Sequence, residues 1–296
     1  MAGTRSVSGE TGEQDRPIDV GWGALRAIEA GTREGPRLLC LHGWMDNAAS
    51  FLPLARQLPQ FHWVALDFAG HGRSDHRPEH ARYYFMDYVF DVDAALDDLG
   101  WDSCTLVGHS LGTAVAACNA CADPQRVERI VMLDGLGVVT EPERHAAERL
   151  TRSLRSVRHP RDHRRVFASL ELAARARQVK NPMADDSARL LAERALRETE
   201  GGWRWRTDPR AMWDSPYWYA EPHSDAILQG LKCPVLVVYT PVLEHYLDER
   251  LAERLKRLDD VTAVRLEGGH HVHMDQPEAL ADAVRAFIDQ EDLQHD

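Results

Sequence analysis

At 296 residues, 44% of them hydrophobic, the chain can bury a full core, and its length fits one large α/β domain carrying an insertion better than two independent domains. A formal net charge of -12 and a pI near 5.7 argue against a nucleic-acid partner and against an anionic membrane surface, and no apolar run approaches the ~20 residues of a membrane span. Five cysteines, an odd number in a chain that opens without a signal-peptide pattern, point to a reducing, cytoplasmic setting rather than a disulfide framework.

Residues 1–17 hold Gly, Ser, Thr and Glu with almost no large apolar side chain, and they are predicted to form a disordered tail. The first part of the core, residues 18–137, then alternates strands and helices. Val20 to Ala30 and Pro36 to Leu41 read as strands, Asn47 to Leu58 as a helix, and His62 to Phe68 as a strand. Tyr83 to Leu99 carries an apolar stripe at helical spacing. Ser103 to Val107 reads as a buried strand, Leu111 to Ala122 as a buried helix stopped by Asp123-Pro124, and Val127 to Leu133 as the next strand. From 138 to 230 no strand signal is found. This segment is helical and charged, and it ends in an aromatic run from Trp203 to Tyr219, so it reads as a helical cap inserted over the strand ends. Its Arg- and His-dense stretch from Arg144 to Arg165 reads as a solvated helix face. The second part of the core, residues 231–296, resumes with Pro234 to Tyr239, a helix from Asp248 to Leu258, Thr262 to Leu266, and a last helix from Pro277 to Ile288. The predicted class is α/β, a mostly parallel open sheet with helices on both faces, whose ligands sit at the carboxyl ends of its strands.

One pentapeptide names a reaction class. Gly108-His109-Ser110-Leu111-Gly112 lies between a predicted strand and a predicted helix, the context of a nucleophile elbow. A serine hydroxyl is a weak nucleophile, so it must be held on a tight turn beside a base and near oxyanion donors. The motif alone arises by chance in roughly one chain in ten of this size, so the neighbouring loops carry the assignment. His42-Gly43-Trp44 follows the strand Leu38 to Leu41, where a second oxyanion donor belongs, and the backbone N–H groups of Trp44 and Leu111 are the expected pair. Asp67 to Ser74 is a Gly-rich loop without the Lys of a phosphate-binding loop, and it is expected to shape the sheet end. The base is expected in Gly269-His270-His271-Val272-His273, with His270 favoured by its place after the Gly268-Gly269 turn and His271 and His273 as alternatives. This loop lacks the paired helical spacing of a metal site, so no metal is expected. The acid is Asp134, at the end of the strand Val127 to Leu133, or alternatively Glu244, the first carboxylate after Tyr239. His42, His109, Trp213 and Trp218 are candidates for the substrate pocket. Cys118 and Cys121 lie within the helix after the elbow and are expected to pack in the core.

Together these residues resemble the α/β-hydrolase superfamily, and the string from Leu41-His42-Gly43-Trp44-Met45-Asp46 to Phe51 is most similar to its serine-hydrolase-like branch. The resemblance covers residues 18–290. It implies a Ser110 nucleophile, a His270 base, an oxyanion hole from Trp44 and Leu111, a helical cap over the site and no cofactor. The family usually places its acid in a turn after the strand corresponding to Pro234 to Tyr239. Here that turn reads Thr240-Pro241-Val242-Leu243, so the chain departs from the pattern in the direction of Asp134. The expected function is a serine hydrolase acting on a small-molecule carboxylic ester or related acyl substrate. The alternatives are acyl transfer or perhydrolysis on the same triad, and a ligand-binding homologue without catalysis.

Overall fold

The computed structural model describes residues 10–160 and 165–289. In chain order it contains β1 (Glu10–Asp19), β2 (Ala24–Thr32), β3 (Arg37–Leu41), α1 (Leu52–Gln57), β4 (His62–Asp67), α2 (Phe85–Leu99), β5 (Cys104–His109), α3 (Leu111–Ala122) and β6 (Val127–Leu133). There follow α4 (Ala146–Arg158), α5 (Leu170–Gln178), α6 (Asp185–Ala195), β7 (Leu196–Thr199), β8 (Gly202–Trp205) and α7 (Glu221–Gln229). The chain closes with β9 (Val235–Tyr239), α8 (Pro241–Leu247), α9 (Glu249–Leu255), β10 (Val261–Arg265), α10 (Val272–Asp275) and α11 (Pro277–Asp289).

Eight strands form one sheet in the order β1-β2-β4-β3-β5-β6-β9-β10; the β1–β2 and β2–β4 pairings are antiparallel and the others parallel. Successive side chains of a strand point to opposite faces, so a strand buried on both sides feeds two cores. That is seen in every central strand. Leu39 and Leu41, Val64 and Leu66, Ile130 and Met132, and Val235 and Val237 enter one core with α2 and α3. Their neighbours Leu38 and Cys40, Trp63 and Ala65, Val131 and Leu133, and Leu236 and Val238 enter the other with α1 and α11. The parallel register pairs Leu41 with Gly108, His109 with Leu133, and Leu133 with Val238, which brings the carboxyl ends of β3, β5, β6 and β9 level with one another. The site is built on those ends.

Several expectations are corrected. Residues 10–17, expected in the tail, belong instead to edge strand β1, because β2 offers an open antiparallel edge that even this polar segment can pair with through its backbone; residues 1–9 lie outside the described residues. The segment after it turns at Gly21, so β2 begins at Ala24 and not at Val20. Residues 138–230 are mostly helical but include the hairpin β7–β8, whose apolar Leu196, Trp203 and Trp205 pack on a small local core with Phe167. The helix expected over Asn47 to Leu58 is a 3-10 turn followed by α1, and α8 was not anticipated. The Arg144–Arg165 stretch is carried in part by α4, and residues 161–164 lie outside the described residues.

Candidate active site

Ser110 joins β5 to α3 with φ 50 and ψ -112, a conformation that L-residues rarely adopt and that costs about 1–3 kcal/mol. The turn is fastened on both sides. Ser110 N–H donates to Leu133 O at 3.0 Å, and Ser110 O accepts from Thr113 N at 3.0 Å and Thr113 Oγ1 at 2.7 Å. Both motif glycines are required by contact. A Cβ on Gly112 would stand 1.8 Å from Leu41 O, and one on Gly108 would stand 2.6 Å from the carbonyl carbon of Gly112, so α3 can start this close to β3 and β5 only without those side chains.

His270 is brought to the same strand ends by the loop after β10. Its Nδ1 lies 2.6 Å from Asp134 Oδ2, and the Asp134 carboxylate is fully buried while the imidazole is 34% exposed. Asp134 sits directly after β6 at φ 46, and its other oxygen accepts from Thr240 N at 2.9 Å and Thr240 Oγ1 at 2.8 Å. A buried carboxylate needs such donors, and these fix the face it offers to His270. Thr240 therefore stands just after β9, where the family pattern would put an acid, and supplies donors to the carboxylate at the end of the neighbouring strand. Glu244 is elsewhere: it lies in α8 and accepts from Arg265 Nε at 2.8 Å. The Ser110 hydroxyl makes no hydrogen bond to another described residue, so the serine-to-imidazole contact is not closed here.

Behind the elbow lies a buried polar cluster that the sequence did not announce. His109 Nε2 is 2.8 Å from His270 O, and its Nδ1 faces Asp46 Oδ2 at 3.3 Å, an ion-pair distance without hydrogen-bond alignment. Asp46 also takes His271 Nε2 at 3.2 Å and the Arg177 guanidinium of α5, which donates to Met45 O at 2.7 Å as well. Burial pushes the Asp46 carboxyl up, but Arg177 and His271 outweigh it and hold it well below the ordinary carboxylate range. Burial brings His109 down to about 4, against the opposing pull of Asp46, so the ring is neutral at pH 7. Asp46, His109 and His271 place one ligand atom each within 4.8 Å of one another, the reach of a metal site.

His42 and His109, expected in the substrate pocket, are both fully buried in the scaffold. His42 donates from Nδ1 to Gly43 O at 2.7 Å and accepts Phe68 N–H at Nε2 at 3.0 Å, tying the ends of β3 and β4 together; burial lowers its pKa to about 3. Trp44 is 54% exposed, and its ring reaches Ala211 O at 3.2 Å. Trp218 carries the Arg149 guanidinium at 3.6 Å from its ring centre, and Trp213 has Arg82 at 5.7 Å. The Gly-rich loop folds on Asp67: Arg73 N donates to Asp67 Oδ2 at 2.7 Å, and a Cβ on Gly72 would stand 2.2 Å from that carboxyl carbon. Cys118 is buried in α3 and Cys121 half-buried beside it, both unpaired. Two surface cavities, of about 370 and 360 Å³, are lined by other residues than Ser110 and His270, so geometry and not cavity size marks the site.

The family model described as the alpha/beta hydrolase fold matches residues 36–277. A serine hydrolase-like protein of Danio rerio is 32% identical over 283 residues, covering 92% of this chain and 87% of its own. Serine hydrolase-like protein 2 of Homo sapiens is 29% identical over 297 residues, covering 92% of each. The crystal structure of a hypothetical protein from Pseudomonas aeruginosa PAO1, 36% identical, superposes with a TM-score of 0.86 over 93% of this chain and 99% of that one. A strained serine elbow on a parallel sheet, these matches and the matched span together mean that the chain belongs to the α/β-hydrolase superfamily, in its serine-hydrolase-like branch.

Proposed function

We propose that this protein hydrolyses a carboxylic ester or related acyl substrate through Ser110, His270 and Asp134. The observation that carries the reading is the 2.6 Å contact between His270 Nδ1 and a buried carboxylate that Thr240 holds in place, beside a strained serine. Asp134 keeps the proton on His270 Nδ1, which leaves Nε2 as the base. Ser110 Oγ attacks the acyl carbon and gives its proton to Nε2. The oxyanion formed turns to the backbone N–H groups of Leu111, the first of α3, and of Trp44, after β3. Collapse of this intermediate expels the alcohol, protonated by His270, and leaves an acyl-Ser110 ester that water cleaves by the same route in reverse order of roles. Acyl transfer to another nucleophile would use the same acyl-enzyme. Residues 138–230 act in this reading as the cap: Ala211, Leu191 and Asp208 already hydrogen-bond the loops at the strand ends. The unpaired Cys40, Cys104, Cys118 and Cys121 support a reducing compartment.

A fluorophosphonate probe tests the reading. It should label the native protein once per chain at Ser110 and leave Ser110→Ala unlabelled. A folded native protein that does not label would favour the ligand-binding homologue without catalysis.

A further inference from the structure

The polar cluster behind the elbow has no role in the proton transfers above, yet it touches the base loop twice. His109 holds the backbone of His270 from one side, and His271, the next residue, is held by Asp46. Asp46 in turn is gripped by Arg177, which comes from α5 in the insertion and is itself only 8% exposed. We propose that Arg177, Asp46, His109 and His271 form a buried latch through which seating of the insertion on the core sets the position of the base His270. This rests on the hydrolase reading and extends it to residues that act through His270 without touching the substrate.

The chemistry of each link supports a positioning role. His270 is anchored at both ends: Asp134 fixes the imidazole, and the His109 Nε2–H fixes the main-chain carbonyl. A neutral His109 has one ring proton for two acceptors. The aligned 2.8 Å contact to His270 O takes it, and Asp46 is left at 3.3 Å from the bare Nδ1. Asp46 is therefore free to serve Arg177 and His271. Met45, whose carbonyl takes the second arm of the guanidinium, is at φ 65, so the loop after β3 is bent to offer both acceptors to α5. Arg177 forms the fork that a carboxylate and a carbonyl together can fill. The same three donors could suit zinc, but Arg177 already neutralises Asp46 in direct contact, and its fixed charge opposes a dication there. If the insertion lifts, Asp46 loses the charge that offsets its burial, and the loop that carries His270 loses its tether.

A misplacement of about 1 Å in a catalytic group costs on the order of 100-fold in rate. The test measures fluorophosphonate labelling of the full chain, both its rate and its stoichiometry, with steady-state hydrolysis of a p-nitrophenyl ester. Asp46→Asn, which keeps the shape and loses the charge, should label fully but about 10–100-fold more slowly, with kcat reduced alike and KM within about twofold. Arg177→Ala should lose about 10-fold, and Arg177→Lys, which keeps the charge beside Asp46 but cannot span both acceptors, should recover part of it. Mere destabilisation would instead lower the labelled fraction at an unchanged rate, and that result overturns the latch. So does labelling of both variants at the native rate. Zinc chloride that raises the melting temperature of the native protein but not of Asp46→Asn would overturn it too, by making the cluster a metal site. Failure of the native protein to label at all overturns the hydrolase reading, and the latch with it, and is distinct from each of these outcomes.

Discussion

The strand ends and the insertion are held by different forces. Ser110, Asp134 and Thr240 directly follow β5, β6 and β9, whose apolar side chains fill two cores with almost no exposure. The insertion joins the main core at its two ends, through Val138 and through Ile227 and Leu228; between them it has a small core of its own around Phe167, Ala173, Ala188 and Leu196 and meets the strand-end loops largely through arginines: Arg177 on Asp46, Arg194 on Asp67, and Arg210 on the carbonyls of Arg77, Pro78, Glu79 and Ala81. Apolar packing is non-directional and gives a rigid frame, whereas a buried ion pair is directional and punishes the loss of one partner. On the proposed reading, chemistry sits on the first and orientation of the insertion leans on the second.

Three substitutions sharpen this contrast. Asp134→Asn should act on the chemistry alone: kcat on a p-nitrophenyl ester falls by about 10⁴, which is roughly 5.5 kcal/mol, while the melting temperature stays close to that of the native protein. A comparable loss in Glu244→Gln instead would move the acid to α8. Arg194→Met should act on the other force. Asp67 keeps Ala48 N at 2.8 Å and Arg73 N at 2.7 Å but loses the guanidinium hydrogen-bonded to it, and removing one partner of a buried pair costs about 3–5 kcal/mol. Denaturant unfolding should show that loss, with the backbone donors placing it at the lower end, while kcat per folded molecule changes little. Glu244→Gln should be smallest, about 0.5 kcal/mol or less, since it gives up a half-exposed contact to Arg265. A stability loss in Arg194→Met matched by an equal loss of kcat would erase the distinction.

What could be read in the sequence follows the same division. The central strands announced themselves because their apolar runs are the direct image of two-sided burial, and the elbow because two glycines are imposed by backbone contact around Ser110. Edge strand β1 gives little periodic signal since its pairing is by backbone and, short of the buried Ile18 near its end, Gly12 to Pro17 stay polar or exposed. The hairpin β7–β8 was missed because four-residue strands leave too short a period to register. Asp46 and Arg177 were passed over for a different reason: they are 131 positions apart, and a charged residue in a loop reads as solvated until the fold buries it against its partner. Thr240 carried a signal that could have been used. A threonine in place of the expected carboxylate, next to a strand end that offers Asp134, marks a hydrogen-bond donor to that neighbouring carboxylate.

That exchange has a consequence for how such sites change. β6 and β9 are neighbours in register, and the carboxylate after β6 touches both the imidazole nitrogen and the residue after β9, so on the proposed reading the two strand ends are two addresses for one carboxylate. While one address holds the acid, the other is free to become its support, and a lineage can pass between the arrangements without moving the serine, the histidine or the sheet. A missing aspartate at one address is then no sign of a dead enzyme until the adjacent strand end has been inspected.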